Sequence, residues 1–323
     1  MTGGTQGGIL VTGGSGQLAR ALAAAAGERC LRVVGRPECD FDRVLSLPAL
    51  LAAVRPSLVI NAAAHTAVDR AESEKQAALR ANRDGPAVLA AWCAAAGIPL
   101  IHVSTDYVFD GAKGAPYAED DATNPIGVYG ASKLAGEQAV LAACPRAIVL
   151  RTSWVYAASG RNFVLTMLNL ARSRDHLRVV ADQKGCPTAA GDLAAAILGI
   201  ADILAREGWQ DRFGGVFHAA GTGWTTWHGL ARAAIMRGGA FGLPQPRVEA
   251  ITTAEFPTPT RRPADSRLDC SRLEQVFGLR LPPWEDALGR TIAGIFGAST
   301  FGKDGADAGA GSRPAAAAVH RGA

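Results

Sequence analysis

GILVTGGSGQLARALAAAAG, residues 8–27, decides the fold class. A short aliphatic run ends in a glycine-rich turn, and the stretch behind the turn repeats its apolar residues at helical spacing. CLRVVG (30–35) adds a second short apolar run, so the opening reads as a β-α-β unit. The rhythm then continues: LPALLAAV (47–54) is helical, SLVINAAA (57–64) a strand, about Glu74 to Ala96 a long helix, and PLIHVST (99–105) a strand. A helix over 128–143 and the strand AIVLRTS (147–153) follow. Strands that are apolar throughout and separated by helices imply a parallel sheet buried on both faces. The class is therefore α/β, a Rossmann-type doubly wound parallel sheet.

From about Trp154 the alternation loosens, with more Pro and Trp, isolated strands such as LRVV and GVFHAA, and a closing helical segment near WEDALGRTIAGIF. This half reads as a smaller interleaved C-terminal lobe. The sheet domain takes 8–153 and is completed by segments within about 190–220; the lobe takes 154–189 and 221–298. The Ala/Gly-rich end, 299–323, has no periodicity and is expected to be disordered.

With 323 residues, 48% of them apolar, the chain can bury a sizeable core. Its net charge of +4 is spread, with no run of Lys or Arg to track a phosphate backbone, so nucleic acid is not an expected partner. The six cysteines never approach a CxxC or Cys/His spacing, which argues for reduced thiols in a cytosol and against a disulfide framework or a zinc site. MTGGTQGG lacks a basic stretch and an apolar h-region, and no apolar run approaches the roughly 20 residues that a membrane span needs. A cytoplasmic protein without membrane contact is expected.

In the first turn, Gly13 and Gly16 fill the first two places of a GxxGxxG pattern and Ala19 the third. Glycine there lets the backbone approach a phosphate, and the helix opening at Gln17 and Leu18 offers unpaired N–H groups and a positive dipole end. A dinucleotide pyrophosphate fits, because the third position need only allow close helix–strand packing. At the end of the second strand, VVGRPECDFD (33–42) puts Arg36 near the adenosine ribose with no acid beside it. An Arg there accepts a 2′-phosphate, which favours NADPH and leaves NADH open.

GVYGASKLAGE (127–137) carries Tyr129 and Lys133 four apart on a helix, hence on one face. A nearby cation favours the phenolate and lowers the phenol towards neutrality, making an acid that can protonate a carbonyl oxygen as hydride arrives. Ser104 and Thr105, in HVSTDYVFDG (102–111), stand at the carboxyl end of a central strand and can hold the same oxygen.

Together, the glycine turn, NAAA (61–64), the hydroxyl strand end and YGASK resemble the extended short-chain dehydrogenase/reductases. RPSLVINAAAHTAVDRAESE (55–74), VSTDYVFDG (103–111), YGASKLAGE (129–137), RTSWVYAASGRNFV (151–164), VVADQKGCPTAA (179–190) and RRPADSRLD (261–269) narrow the resemblance to the dTDP-4-dehydrorhamnose reductases, from about Ile9 to Phe296. The resemblance implies NAD(P)H-dependent reduction of the C4 ketone of dTDP-4-dehydro-β-L-rhamnose, a nucleotide sugar, to dTDP-β-L-rhamnose. It makes Thr105 the catalytic hydroxyl rather than Ser104, Tyr129 the proton donor, and Lys133 the residue that adjusts it and holds the nicotinamide ribose. Asp40 and Phe41 match positions around the adenine, and Ala63 and Ala64 match backbone contacts along the cofactor. Thr66, Val68, Asp106, Tyr107, Trp154 and Asn162 match the nucleotide-sugar pocket, and Arg262 a contact to the pyrophosphate.

Plainer roles stand beside these: packing for Trp154, a turn or cap for Asp106, an N-cap for Asn162 and a surface arginine for Arg262. His65 departs from the tyrosine frequent in the family. Some relatives dimerise through metal bound by carboxylates of the first helix, but QLARALAAAAGE has no acid before Glu28. No metal is expected, and a homodimer, if formed, would not be metal-bridged. Two other readings fit the same residues: a reductase for another NDP-4-keto-6-deoxyhexose, and a non-catalytic NADP-binding regulatory subunit.

Overall fold

The computed structural model describes residues 7–297, and the 299–323 tail read as disordered lies outside the described residues. The chain runs β1 (Ile9–Thr12), α1 (Gln17–Ala24), β2 (Leu31–Val34), α2 (Leu47–Val54), β3 (Leu58–Asn61), α3 (Val68–Ser73), α4 (Lys75–Leu79), α5 (Gly85–Ala96), β4 (Leu100–Thr105), α6 (Val128–Ala143) and β5 (Ala147–Thr152). Next come β6 (Val155–Tyr156), α7 (Phe163–Ala171), β7 (His176–Val180), β8 (Lys184–Gly185), β9 (Thr188–Ala189), α8 (Ala190–Glu207) and β10 (Gly215–His218). The last elements are β11 (Thr225–Thr226), α9 (Trp227–Gly239), β12 (Arg247–Ile251), α10 (Ser271–Phe277) and α11 (Trp284–Gly297).

Six strands form one parallel sheet in the order β2-β1-β3-β4-β5-β10. Successive side chains of a strand leave by opposite faces, so an apolar pair needs cover on both. Val11, Ile60 and Leu150 meet Leu18 and Leu22 of α1 and Leu193 and Ile197 of α8 on one face. Leu10, Val59 and Val149 meet Leu51 of α2, Leu89 of α5 and Val140 of α6 on the other. Each such side chain contributes roughly 1.5–3 kcal/mol on burial, which is why the two-sided apolar strand is a stable arrangement.

The strand order reverses between β1 and β3, and doubly wound sheets open a ligand crevice at the carboxyl ends of such a pair. Two features hold this crevice narrow: Gly13 follows β1 at φ +113°, and a Cβ added to it would lie 3.0 Å from the Ala62 carbonyl that follows β3.

The single helix read over 74–96 is divided. Between α4 and α5, residues Arg80–Asp84 form a π-helical stretch. Pro86 has no N–H to give the carbonyl of Asn82, so the regular ladder fails there. The wider turn carries the Asn82 side chain inward, where its Oδ1 accepts from His65 N at 2.8 Å and its Nδ2 donates to His65 O and Ser132 Oγ.

In the second half, β10 pairs with β5 and α8 covers the sheet, while α7, α9 and α11 enclose a separate apolar cluster that includes Trp154, Met167, Trp227, Leu230 and Leu288. The short pairs β6–β9, β7–β12 and β8–β11 lie outside the main sheet.

One buried ion pair joins the sheet to α6. Arg151 Nη2 and Glu137 Oε2 are 2.7 Å apart, with side-chain exposures of 5% and 2%. Arg151→Met strands the Glu137 carboxylate, and a cost of roughly 3–5 kcal/mol is expected by urea denaturation. Adding Glu137→Leu should recover much of that loss; equal losses in the single and double variants would show that the pair is not coupled.

Candidate active site

The glycine turn is built to bring backbone close to a ligand. Gly13 and Gly14 have φ of +113° and +50°, and a Cβ on Gly35, at the end of β2, would fall 2.6 Å from Gly14 Cα. Gly14, which the spaced-glycine pattern passes over, is thus as constrained as Gly13, whereas Gly16 has φ −59° and serves as the N-cap of α1. No side chain caps that helix and no acid stands in its first turn, so its N–H groups and positive end remain available to an anion. A dinucleotide pyrophosphate fits this cradle. Leu18 and Ala19 are buried beneath it, and Gln17 Oε1 accepts from Asn162 Nδ2 at 2.8 Å.

At the adenosine end the structure corrects the sequence reading. Arg36 is not free of acids: its Nε pairs with Asp40 at 2.9 Å and its Nη2 with Asp42 at 2.5 Å. The loop after β2 folds back, so carboxylates four and six residues on reach the guanidinium. Phe41 is a core residue, 5% exposed, with Gly85 set against its ring. Ala63 and Ala64 are partly exposed in the segment after β3, and Ala63 N donates to Asn61 Oδ1.

Thr105 and Tyr129 come together where β4 meets α6, and Lys133 lies one helical turn further on, against β4. The Thr105 hydroxyl accepts from Tyr107 N at 3.2 Å, lies 3.1 Å from Asp106 Oδ1 and is within hydrogen-bonding reach of the Tyr129 phenol. Ser104 points the other way, donating to Glu137 Oε1 at 2.5 Å, because neighbouring strand residues leave by opposite faces. Lys133 is almost fully buried and donates to the Val103 carbonyl at 2.7 Å.

Here too the electrostatics differ from the sequence reading, in which Lys133 draws the phenol down. Burial pushes Tyr129 up to about 12, with the Thr105 hydrogen bond opposing it and the Asp106 carboxylate adding to it. The same desolvation lowers Lys133 to about 8 against the pull of Glu137. Loss of hydration penalises both charged forms and is the largest influence on each.

The pocket residues divide into two groups. Asp106, Tyr107 and Arg262 gather beside Tyr129: the Tyr107 and Tyr129 rings meet edge to face at 5.9 Å, and burial raises the Asp106 carboxyl to about 6 while Ser266, Ser153 and Thr105 hydrogen-bond to it. Arg262 Nη2 grips both oxygens of Asp69 at 3.0 Å, while its buried Nη1 has no protein partner. Val68 opens α3 and is buried, whereas Thr66 is exposed before it. Trp154 and Asn162 lie on the lobe side with their own structural work. Trp154 has φ +47° and stacks on Trp227 at 3.5 Å between ring centres. Asn162 caps α7 through Leu165 N and donates to Ala157 O and Gln17, which occupies its amide.

Sequence reasoning missed Asn61, His102 and Glu137, which sit behind the acid group. Their signal was a polar residue inside an otherwise apolar strand or helix. Among the described residues no three His, Cys, Asp or Glu side chains form a metal-binding group.

The family model described as the RmlD substrate binding domain matches residues 7–295. A curated dTDP-4-dehydrorhamnose reductase of Sinorhizobium fredii is 46% identical over 285 residues, 88% of this chain and 96% of that protein. The Salmonella typhimurium protein of the same name is 38% identical over 91% of this chain and 99% of its own length. Among solved structures, a dTDP-4-dehydrorhamnose reductase from Bacillus anthracis in complex with NADP superposes with a TM-score of 0.81 at 31% identity, covering 90% of this chain and all of that one (100%). Matched over about nine-tenths of its length in sequence and in fold, the chain belongs to the dTDP-4-dehydrorhamnose reductase family of extended short-chain dehydrogenase/reductases.

Proposed function

We infer that this chain reduces the C4 ketone of dTDP-4-dehydro-β-L-rhamnose to dTDP-β-L-rhamnose with NADPH or NADH, the last step of dTDP-L-rhamnose synthesis. The observation that carries the reading is the 46% identity over 96% of a curated reductase's length, since an acid group of this kind also serves other reductases. The bound nicotinamide supplies a hydride to C4.

What remains is the work of this chain's residues. As the C4 oxygen gains negative charge, it needs a proton and a second donor. Tyr129, held up to about 12, is fully protonated at neutral pH and so begins the step as an acid. The Thr105 hydroxyl beside it is the second donor to the same oxygen. The phenolate left after transfer is stabilised by the Lys133 charge one helical turn away, and that attraction in turn favours the charged amine. Lys133 is also the residue this reading assigns to the nicotinamide ribose. The diphosphate side is supported by Arg262, whose buried Nη1 is an unsatisfied donor that an anionic oxygen would complete. A cytosolic setting belongs to the same reading. It is supported by six unpaired cysteines and by described residues that include no helix long and apolar enough to cross a membrane. Every group named lies within one chain.

Incubation with dTDP-4-dehydro-L-rhamnose and NADPH should consume the reduced cofactor, and NMR of the product should give the rhamno configuration at C4; the opposite C4 configuration would assign the chain to another sugar. In Tyr129→Phe, kcat should fall roughly 10²–10⁴-fold with the substrate Kd little changed. A near-normal kcat would place the acid elsewhere.

Lys133 supplies a test in the free protein. With ¹³Cε-labelled lysine, the resonance that disappears in Lys133→Met should titrate near pH 8, and Glu137→Gln should move the midpoint lower by removing the charge that favours the ammonium. Between about 8 and the ordinary value of 10.5, the unfolded chain holds a proton that the native one has released, so this lysine's contribution to stability rises with pH across that window. A midpoint at the ordinary value would mean that the amine is hydrated and not buried.

A further inference from the structure

Asp42 lies where the loop after β2 meets the π-helical stretch 80–84. Its Oδ2 takes Arg36 Nη2 at 2.5 Å and its Oδ1 takes Arg80 Nε at 2.8 Å. One carboxylate therefore bridges two guanidinium groups from segments far apart in the chain, and both of its oxygens are spent on them. Asp40 completes the set by holding Arg36 Nε and, through the same Oδ1, the Asp42 backbone N at 3.1 Å. Two cations and two anions leave the group neutral. Asp40 is the less exposed acid, at 20% against 41% for Asp42, and it is part of the loop's own bonding.

A planar anion shared between two arginine forks is also how such arginines hold a phosphate. In doubly wound folds this place, just past the second strand, is where the 2′ position of the adenosine ribose is read. We propose that Asp42 is a specificity-determining residue for the nicotinamide dinucleotide: it occupies Arg36 and Arg80 as a 2′-phosphate would, and so cancels the preference for NADPH that the two arginines alone would give. The proposal rests on the dinucleotide reading above.

Exposed ion pairs of this kind hold weakly, so an incoming phosphate with three acceptor oxygens can displace the carboxylate. That displacement offsets part of what the arginines gain on the phosphate. A ribose with a free 2′-OH displaces nothing and loses nothing. The two cofactors are thereby brought towards equal affinity by one side chain, and Arg80, on a helical stretch distant in sequence, becomes half of the phosphate-reading pair.

Calorimetry on the full chain without cofactor, using 2′,5′-ADP and 5′-AMP, isolates this effect because the two fragments differ only in the 2′-phosphate. The unaltered chain should bind them with similar Kd. Asp42→Asn should tighten 2′,5′-ADP about 3- to 10-fold and leave 5′-AMP unchanged, with the gain fading as salt is raised. Adding Arg80→Gln to Asp42→Asn should abolish the gain. An unchanged Kd ratio in Asp42→Asn, an equal gain for both fragments, or a gain that survives Arg80→Gln would each overturn the proposal. Binding of both fragments with no change in ratio sinks the role of Asp42 alone. If neither the fragments nor NADPH and NADH bind, the dinucleotide reading falls and this proposal with it.

Discussion

The grip of β4 and β5 on Glu137 is the interaction from which the acid group takes its geometry. Ser104 donates to Glu137 Oε1, and Arg151 approaches both carboxylate oxygens, with Nη2 at 2.7 Å and Nε at 3.1 Å. Tyr129, Lys133 and Glu137 are spaced four apart on α6, so they form one stripe along the helix. Anchoring the last of them to two strands sets the rotation of the helix and delivers the other two to the end of β4. Ser104 does this by pointing away from the pocket, and the alternation of the strand then turns Thr105 into it. A hydrophobic contact could hold α6 as tightly, but a bidentate ion pair also selects one rotation, and rotation is what the chemistry needs.

A second buried polar line ties this group to the glycine turn. Thr12 donates to Asn61 Oδ1 at 2.6 Å and Ala63 N donates to the same oxygen at 3.2 Å, which leaves Asn61 Nδ2 to donate to His102 Nδ1 at 2.9 Å. His102 Nε2 in turn faces Lys133 at 3.5 Å. Burial, reinforced by the nearby Lys133, holds His102 neutral by pushing it well below its ordinary value. Polar groups so deep are costly unless paired, and here Thr12, Asn61 and His102 Nδ1 pair across three adjacent strands while Lys133 donates to the Val103 carbonyl. The crevice at the strand switch and the acid group are therefore parts of one rigid arrangement.

The lobe contributes by contact at a few points. Asn162 reaches Gln17 at the start of α1, and Thr260 and Arg262 reach α3 through the Val68 carbonyl and Asp69. Trp154, stacked on Trp227 with its backbone in the left-handed region, is the joint immediately after β5. A bulky residue in that region is strained by about 1–2 kcal/mol, and it is held there by a stack and by the close approach of Gly185.

Much of this was legible in the chain alone, because it is written in local terms. The period of the apolar residues sets helix and strand, the all-apolar strands require helices on both faces, glycine at the first turn marks close backbone approach, and a spacing of four puts Tyr129 and Lys133 on one face. The fold class followed from those features, and the family from the resemblance of longer stretches such as VSTDYVFDG (103–111) and YGASKLAGE (129–137). What tertiary structure alone decided concerns groups whose partners are remote or whose hydration changes. Arg36 and Arg80 meet at Asp42 only after the loop has folded back. Pro86 turns a helix into three pieces because of one missing hydrogen bond to Asn82. Ser104 and Thr105 are equal as hydroxyls until the sheet assigns each a face. The Tyr129 phenol moves away from neutrality and the Lys133 ammonium towards it because burial removes water from both, and the degree of burial is a property of the packed molecule that no neighbouring residue encodes.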